Sequence, residues 1–356
     1  LQDRIDELSA AIDTQKLVLR DLMSKRSDAY EQLNLFVDPM ARIPLELQSE
    51  IFVHCLAQSS TLGGTLTPDP TAPPVVFLAV SRLWRDIALA TPGLWTGLRM
   101  KLPCTDNHVE LCRIWMKRAP EHASFSLALN GKLVVGRSVR DLLAEFSNRL
   151  QRLTLIIATE SGNYLEDRKI DLGLGVRFSL LKSLTICRAN GANLDVLDCI
   201  HPLNAAPALL ECNLRNLPYY RDAWTDIHPV VHSSLQQLQV GYPWPWPGPN
   251  ADDGGLTQSS AQILRHLTLP ALKALFLTQF DVEMVHFTAF LARSSAPLEF
   301  LYLSFQALDS EINLADCFQH MPSLKSLTLD GNGCFPVLSI VATSPHILPN
   351  LRHITL

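Results

Sequence analysis

Eight copies of one pattern, Leu-x-x-Leu-x-Leu, recur through the chain from residue 150 onward, and such a repeat leaves few ways to fold. The copies are Leu150-x-x-Leu153-x-Leu155, Leu181-x-x-Leu184-x-Ile186, Leu209-x-x-Cys212-x-Leu214 and Leu235-x-x-Leu238-x-Val240, then Leu272-x-x-Leu275-x-Leu277, Leu298-x-x-Leu301-x-Leu303, Leu324-x-x-Leu327-x-Leu329 and Leu351-x-x-Ile354-x-Leu356. Their starts are separated by 31, 28, 26, 37, 26, 26 and 27 residues. Pro207, Pro270, Pro322 and Pro349 each stand two residues before a leading leucine. The Leu-x-Leu end of each copy alternates as a half-buried strand does. Helical stretches such as Leu194–Ile200 and Met284–Leu291 lie between copies. A lone strand and helix cannot cover their own apolar faces, so the units are expected to stack in parallel around a continuous core.

Two earlier segments fit the same scheme. Leu98–Leu102 and Phe125–Leu129 alternate well, and a helix over about Asn107–Arg118 separates them. The predicted architecture over 97–356 is therefore an α/β solenoid of about ten parallel strands, beginning directly after Trp95 with no long linker. The chain opens on Leu1 and closes on an apolar strand at Leu351–Leu356. An exposed last edge is a liability, so either further chain or another surface is expected to cover it.

The first 37 residues carry a different period. Leu1, Ile5, Leu8, Ile12, Gln15, Leu19, Leu22, Arg26, Ala29, Leu33 and Phe36 advance in steps of four and three, which places them on one stripe of a helix. Gln15 and Arg26 interrupt that seam. The spacing suits a homodimeric coiled coil through residues 1–36, and equally one amphipathic helix folded back on its own protein. Asp38-Pro39 ends it, because the residue before proline avoids the helical region.

Residues 38–96 read as a small helical module. Pro44 is a natural first-turn residue, and Leu47, Ile51 and Cys55, with Phe52 and Leu56 beside them, form a broad apolar stripe. A Ser/Thr/Gly/Pro-rich stretch over 57–74 predicts a loop or flexible insert. A second helix is expected over Val76–Ala90, with Val80, Trp84 and Ile87 on one face, stopped by Thr91-Pro92-Gly93 before Leu94-Trp95.

The ordered set Ile43-Pro44-Leu45-Glu46-Leu47, Glu50-Ile51-Phe52, Val80 to Ala88 with its Trp84-Arg85-Asp86-Ile87-Ala88 end, and Leu94-Trp95 resembles the F-box. Ile43 replaces the usual leucine, Leu83 stands where a charged residue is frequent, and the insert is extra. The match covers roughly 60 residues. With its heptad helix in front, the arrangement looks like F-box proteins of mushroom-forming fungi. The later repeats resemble leucine-rich repeats, a familiar companion of the F-box. They are degenerate. The usual repeat has Asn or Cys three residues after its last leucine. Only Asn332 fits, while Ala158, Ala189, Leu217, Pro243, Phe280 and Gln306 stand there in other copies.

The resemblance implies a three-helix module that docks a Skp-type adaptor, and through it a cullin ubiquitin ligase. By motif position Pro44, Leu47, Ile51, Phe52, Trp84 and Trp95 would be core or adaptor-binding residues. The solenoid would hold a target protein. A module of this size cannot bury all its apolar surface alone, which makes Leu, Ile, Phe and Trp rimmed by charge a ready partner surface. The alternative implied function is an F-box/leucine-rich scaffold or sensor not coupled to ubiquitin transfer.

Signals for chemistry are weak. P-loop, dinucleotide-binding, nucleophile-elbow and zinc-protease motifs are absent, so no enzyme and no cofactor is expected. His228 and His232 lie four apart with Pro229 between them and no further ligands, so surface histidines rather than a metal site are expected. Asp252-Asp253-Gly254-Gly255 lacks the closing Glu of a calcium loop. The proline-stiffened run Tyr242–Asn250, with Trp244 and Trp246, lengthens one repeat and predicts either cover for the solenoid or a partner contact. Net charge of −5 provides no basic field for nucleic acid, and no apolar run is long enough for a membrane helix. Eight cysteines without a C-x-x-C pair, and no N-x-[ST] site, predict free thiols in an intracellular protein, cytoplasmic or nuclear.

Overall fold

The computed structural model describes residues 1–57, 66–131, 136–157, 176–188, 196–215, 229–241, 260–278, 284–305, 314–331, 334–343 and 345–356. The chain divides into two compact units, one of residues 1–95 with 118–120, the other of residues 96–117 with 121–356.

The first unit is helical. α1 (Gln2–Val37) ends where Asp38 turns extended, φ −72° and ψ 114°. The Asp38 carboxylate accepts the Met40 N–H at 2.8 Å, capping a single 3-10 turn over Pro39–Arg42. α2 (Leu45–Ala57) follows. The helix expected over Val76–Ala90 is in fact two, α3 (Phe77–Val80) and α4 (Arg82–Ala90). Ser81 breaks them: its backbone is extended, and its hydroxyl accepts the Trp84 N–H at 3.2 Å, the act of a helix N-cap. Part of the expected insert is ordered. Leu66 is buried, and the Asp69 carboxylate accepts the Thr71 N–H at 2.8 Å in a side-chain-closed turn. Residues 58–65 lie outside the described residues.

The second unit alternates strands and helices. Its strands are β1 (Gly97–Leu102), β2 (Phe125–Gly131), β3 (Leu150–Ile157), β4 (Ser183–Arg188), β5 (Glu211–Arg215), β6 (Val230–Val231), β7 (Gln237–Val240), β8 (Leu267–Thr268), β9 (Ala274–Leu277), β10 (Phe300–Phe305), β11 (Ser326–Gly331) and β12 (His353–Thr355). Its helices are α5 (Asp106–Arg118), α6 (Arg137–Phe146), α7 (Val196–Ala205), α8 (Met284–Ser294), α9 (Ala315–Phe318) and α10 (Cys334–Thr343). All strands but β6 and β8 form one ten-stranded sheet in chain order, and each neighbouring pair is parallel. β6 and β8 pair with each other.

Register explains the repeat. Leu98, Leu127, Leu153, Leu184, Cys212, Leu238, Leu275, Leu301 and Leu327 stand side by side on successive strands, all buried. Met100, Leu129, Leu155, Ile186, Leu214, Val240, Leu277, Leu303 and Leu329 form a second buried row. Each such side chain contributes roughly 1.5–3 kcal/mol against the entropy of ordering it. The rows end at β12, where Ile354 is exposed.

The prolines before the leading leucines now have a physical role. Pro207, Pro270, Pro322 and Pro349 occupy the second position of a turn closed by the leucine N–H. Leu209, Leu272, Leu324 and Leu351 donate to the carbonyls of Ala206, Leu269, Met321 and Leu348 at 3.1–3.2 Å. Proline pre-sets the backbone angle that this position needs. Leu235 has no such proline. Its N–H donates to Nδ1 of His232 at 3.2 Å, while Nε2 of that ring reaches the Ala206 carbonyl at 3.0 Å. His232 is therefore a buried structural residue and not the surface histidine expected; His228 lies outside the described residues.

Gly131 closes β2 at φ +123°, and a Cβ there would lie 2.2 Å from the Leu102 carbonyl oxygen. Gly136 has nothing within 4 Å of the same position. Gly131→Ala is expected to lower unfolding free energy by about 2 kcal/mol or more, and Gly136→Ala to change it by less than about 1 kcal/mol, in urea melts.

Candidate docking surfaces

The core of the helical module is an aromatic cluster. Phe52 of α2 stacks on Phe77 of α3 with ring centroids 4.2 Å apart, and Trp84 of α4 lies 5.0 Å from Phe52 and 5.9 Å from Phe77. Trp84 is only half-buried, and its indole N–H donates to the Asp38 carboxylate at 3.0 Å. Trp95 is fully buried, with its N–H donating to the Ala88 carbonyl at 3.0 Å. Thr91 ties α4 to α2: its hydroxyl donates to the Ile87 carbonyl at 2.7 Å and lies 3.0 Å from the Ser49 hydroxyl.

α2 presents two rails. Gln48 and Phe52, four residues apart, point inward and are 5% and 1% exposed. The Gln48 amide donates to the Met40 and Ile43 carbonyls, fastening the segment that leads into the helix. One position earlier on each turn, Leu47 and Ile51 are 50% and 40% exposed, with Pro44 exposed on the same line. The six residues singled out from sequence therefore separate. Pro44, Leu47 and Ile51 form an outward apolar strip, Trp84 is half-buried in the aromatic cluster, and Phe52 and Trp95 are core. Direct partner contact through Phe52 or Trp95 is corrected by their burial. Sequence reading passed over Leu45, 54% exposed beside the strip, and also the two polar fasteners, Asp38 and Gln48.

The second unit has a second sheet face opposite the leucine rows, on which Ala128, Gln239 and Tyr302 are buried. One register line across it reads Arg99, Ala128, Thr154, Thr185, Asn213, Gln239, Phe276, Tyr302, Thr328 and Thr355. The line changes character along the sheet, from polar to aromatic. Phe276 lies 4.9 Å from Phe300 and 6.4 Å from Tyr302. The Tyr302 hydroxyl donates to Asp330 at 3.1 Å, and burial together with that carboxylate raises its pKa.

Cys55, Cys104, Cys112, Cys187, Cys199, Cys212 and Cys317 are free thiols. Burial pushes Cys112 and Cys212 up to about 12, and it raises Cys104, Cys187 and Cys317 as well. Such thiols stay protonated near neutral pH, which is the wrong state for nucleophilic attack. Among the described residues no group of His, Cys, Asp or Glu is arranged to hold a metal ion, and no helix is long and apolar enough to cross a membrane. The Tyr242–Asn250 run, Asp252–Gly255 and the turn position of Asn332 lie outside the described residues, as do Ala158, Ala189, Leu217, Pro243, Phe280 and Gln306. No protein-family model matches the sequence, and no curated protein does.

Substitutions separate core from surface. Phe52→Ala and Trp95→Ala are each expected to cost about 3–5 kcal/mol of module stability. Leu47→Asp and Ile51→Asp should each stay within about 0.5 kcal/mol of the parent in the same denaturant melts.

Proposed function

We propose that this chain is the non-catalytic substrate receptor of a Skp–cullin–F-box ubiquitin ligase. The observation that carries the reading is the outward strip of Pro44, Leu47 and Ile51 on a helix whose neighbouring rail, Gln48 and Phe52, is committed to the module's own core. Apolar side chains held in water on a rigid helix, at the positions where the F-box resemblance places adaptor contacts, suit a Skp-type partner that brings a cullin with it. Trp84 packs on Phe52 and Phe77 and is half-buried. Phe52 and Trp95 act behind the strip, by setting the helix positions.

Ten parallel strands in chain order, joined by repeating proline turns, support reading the second unit as a degenerate leucine-rich-repeat solenoid. A repeat unit of this length, with polar and then aromatic side chains on the face opposite the leucines, suits a protein target. Catalysis would be by proximity: a target held beside a ubiquitin-loaded enzyme reacts at a raised effective concentration. No catalytic residue, cofactor or metal of this chain is required. The reading places the protein inside the cell, in cytoplasm or nucleus, where its partners work and where free thiols persist. A scaffold or sensor not coupled to ubiquitin transfer would use the same two surfaces.

Purified chain and a Skp-type adaptor are expected to co-elute in gel filtration, and Leu47→Asp with Ile51→Asp to abolish co-elution while leaving the melt unchanged. No co-elution of the parent chain overturns the proposal. Half-lives of proteins captured by proximity labelling separate the two readings. A receptor lengthens them when deleted, and an uncoupled scaffold leaves them unaltered.

A further inference from the structure

The seam of α1 is open to solvent from Leu1 to Leu33. From Leu1 to Tyr30 every residue but Ser27 is exposed, and Leu8, Ile12, Leu19, Leu22 and Leu33 are each more than half exposed. α1 meets the rest of its unit from another side. Arg82 donates to Ser27 at 3.1 Å and to Asp28 at 3.4 Å, two residues that lie opposite the seam on the helix. Among the described residues, the apolar stripe over residues 1–30 is therefore not folded back on the chain. The helix is 36 residues and about 54 Å long, some five heptads, beyond the three or four that sustain a coiled coil.

We propose that α1 pairs with α1 of a second copy of this chain in an antiparallel coiled coil, with residue i opposite residue 41 − i. The two polar seam residues choose that orientation. A parallel pair sets Arg26 against Arg26 of the second copy, with Lys25 flanking on each side, so four positive charges share one layer. Reversing one helix sets Gln15 against Arg26 of the second copy, twice, and the amide oxygen then accepts from the guanidinium.

The same register places apolar against apolar elsewhere: Leu8 on Leu33, Ile12 on Ala29, Leu19 on Leu22. Ile5 and Ile12 at one seam position with Leu8 at the other is a pattern parallel pairs favour, but it makes no charge clash in the antiparallel one. The arrangement would give each assembly two modules and two repeat units, independently of what either binds.

Sedimentation of the full chain across a concentration series tests this. A monomer–dimer equilibrium is expected, abolished by Leu19→Asp with Leu22→Asp while far-ultraviolet dichroism and the melt of the aromatic module stay as in the parent. Gln15→Glu decides orientation. It sets a carboxylate opposite Arg26 twice in the antiparallel dimer, whereas in the parallel one the two new carboxylates face each other. Dimerisation should tighten by about fivefold in low salt and return toward the parent value in high salt. A chain that is monomeric throughout, a dimer that survives the Leu19/Leu22 change, or one that Gln15→Glu weakens would each overturn the proposal.

Discussion

Everything in the second unit depends on one constraint: no strand can satisfy its backbone or bury its leucines without the strand on either side. The amides of Lys182, Leu210, Gln236, Lys273, Glu299, Lys325 and Arg352 each donate to the carbonyl of the preceding repeat, at 2.8–2.9 Å. Directly after each of these links the leucine rows run side by side. Adding a repeat therefore extends a ladder and a core together, which is why irregular spacing between copies is tolerated while the strand register stays fixed. The 37-residue step between the fourth and fifth copies still delivers Leu275 beside Leu238.

Such a sheet commits one face wholly to its own core and leaves the other to be composed freely. Here the other face is polar along the early strands and aromatic at β9 and β10, and Ala128, Gln239 and Tyr302 on it are buried as well. The helical module solves the opposite problem. It has too few residues to enclose all its apolar side chains, so α2 turns Phe52 and Gln48 inward and leaves Leu47 and Ile51 in water. Rigid aromatic packing behind the helix keeps that outer rail in place, and the adaptor proposal rests on this division.

Strand positions were legible from sequence because a buried parallel row demands leucine at every second residue, and even the two outlying strands at Leu98 and Phe125 obeyed it. α6 carries a helical signal too, with Val139, Leu142, Leu143 and Phe146 at helical spacing, but it lies ahead of the first full Leu-x-x-Leu-x-Leu copy and that repeat does not point to it. The inward rail of α2 was not legible. Leu47, Phe52 and Ile51 are all apolar and only about 100° apart per residue, so the period alone allows either rail to face in. The break at Ser81 and the capping by His232 were hidden for a different reason. Both depend on a side chain accepting a backbone N–H in place of a carbonyl, and that competition is decided by tertiary position. β6 and β8, two residues each, are too short to carry any pattern.

The most direct test of the account follows backbone hydrogen exchange of the full chain with and without a Skp-type adaptor. Protection should rise in Pro44–Ala57 and in the facing segment Phe77–Trp95, and stay unchanged through the strands from β1 to β12. Protection that leaves residues 44–57 untouched, or that appears instead across the sheet, would contradict it.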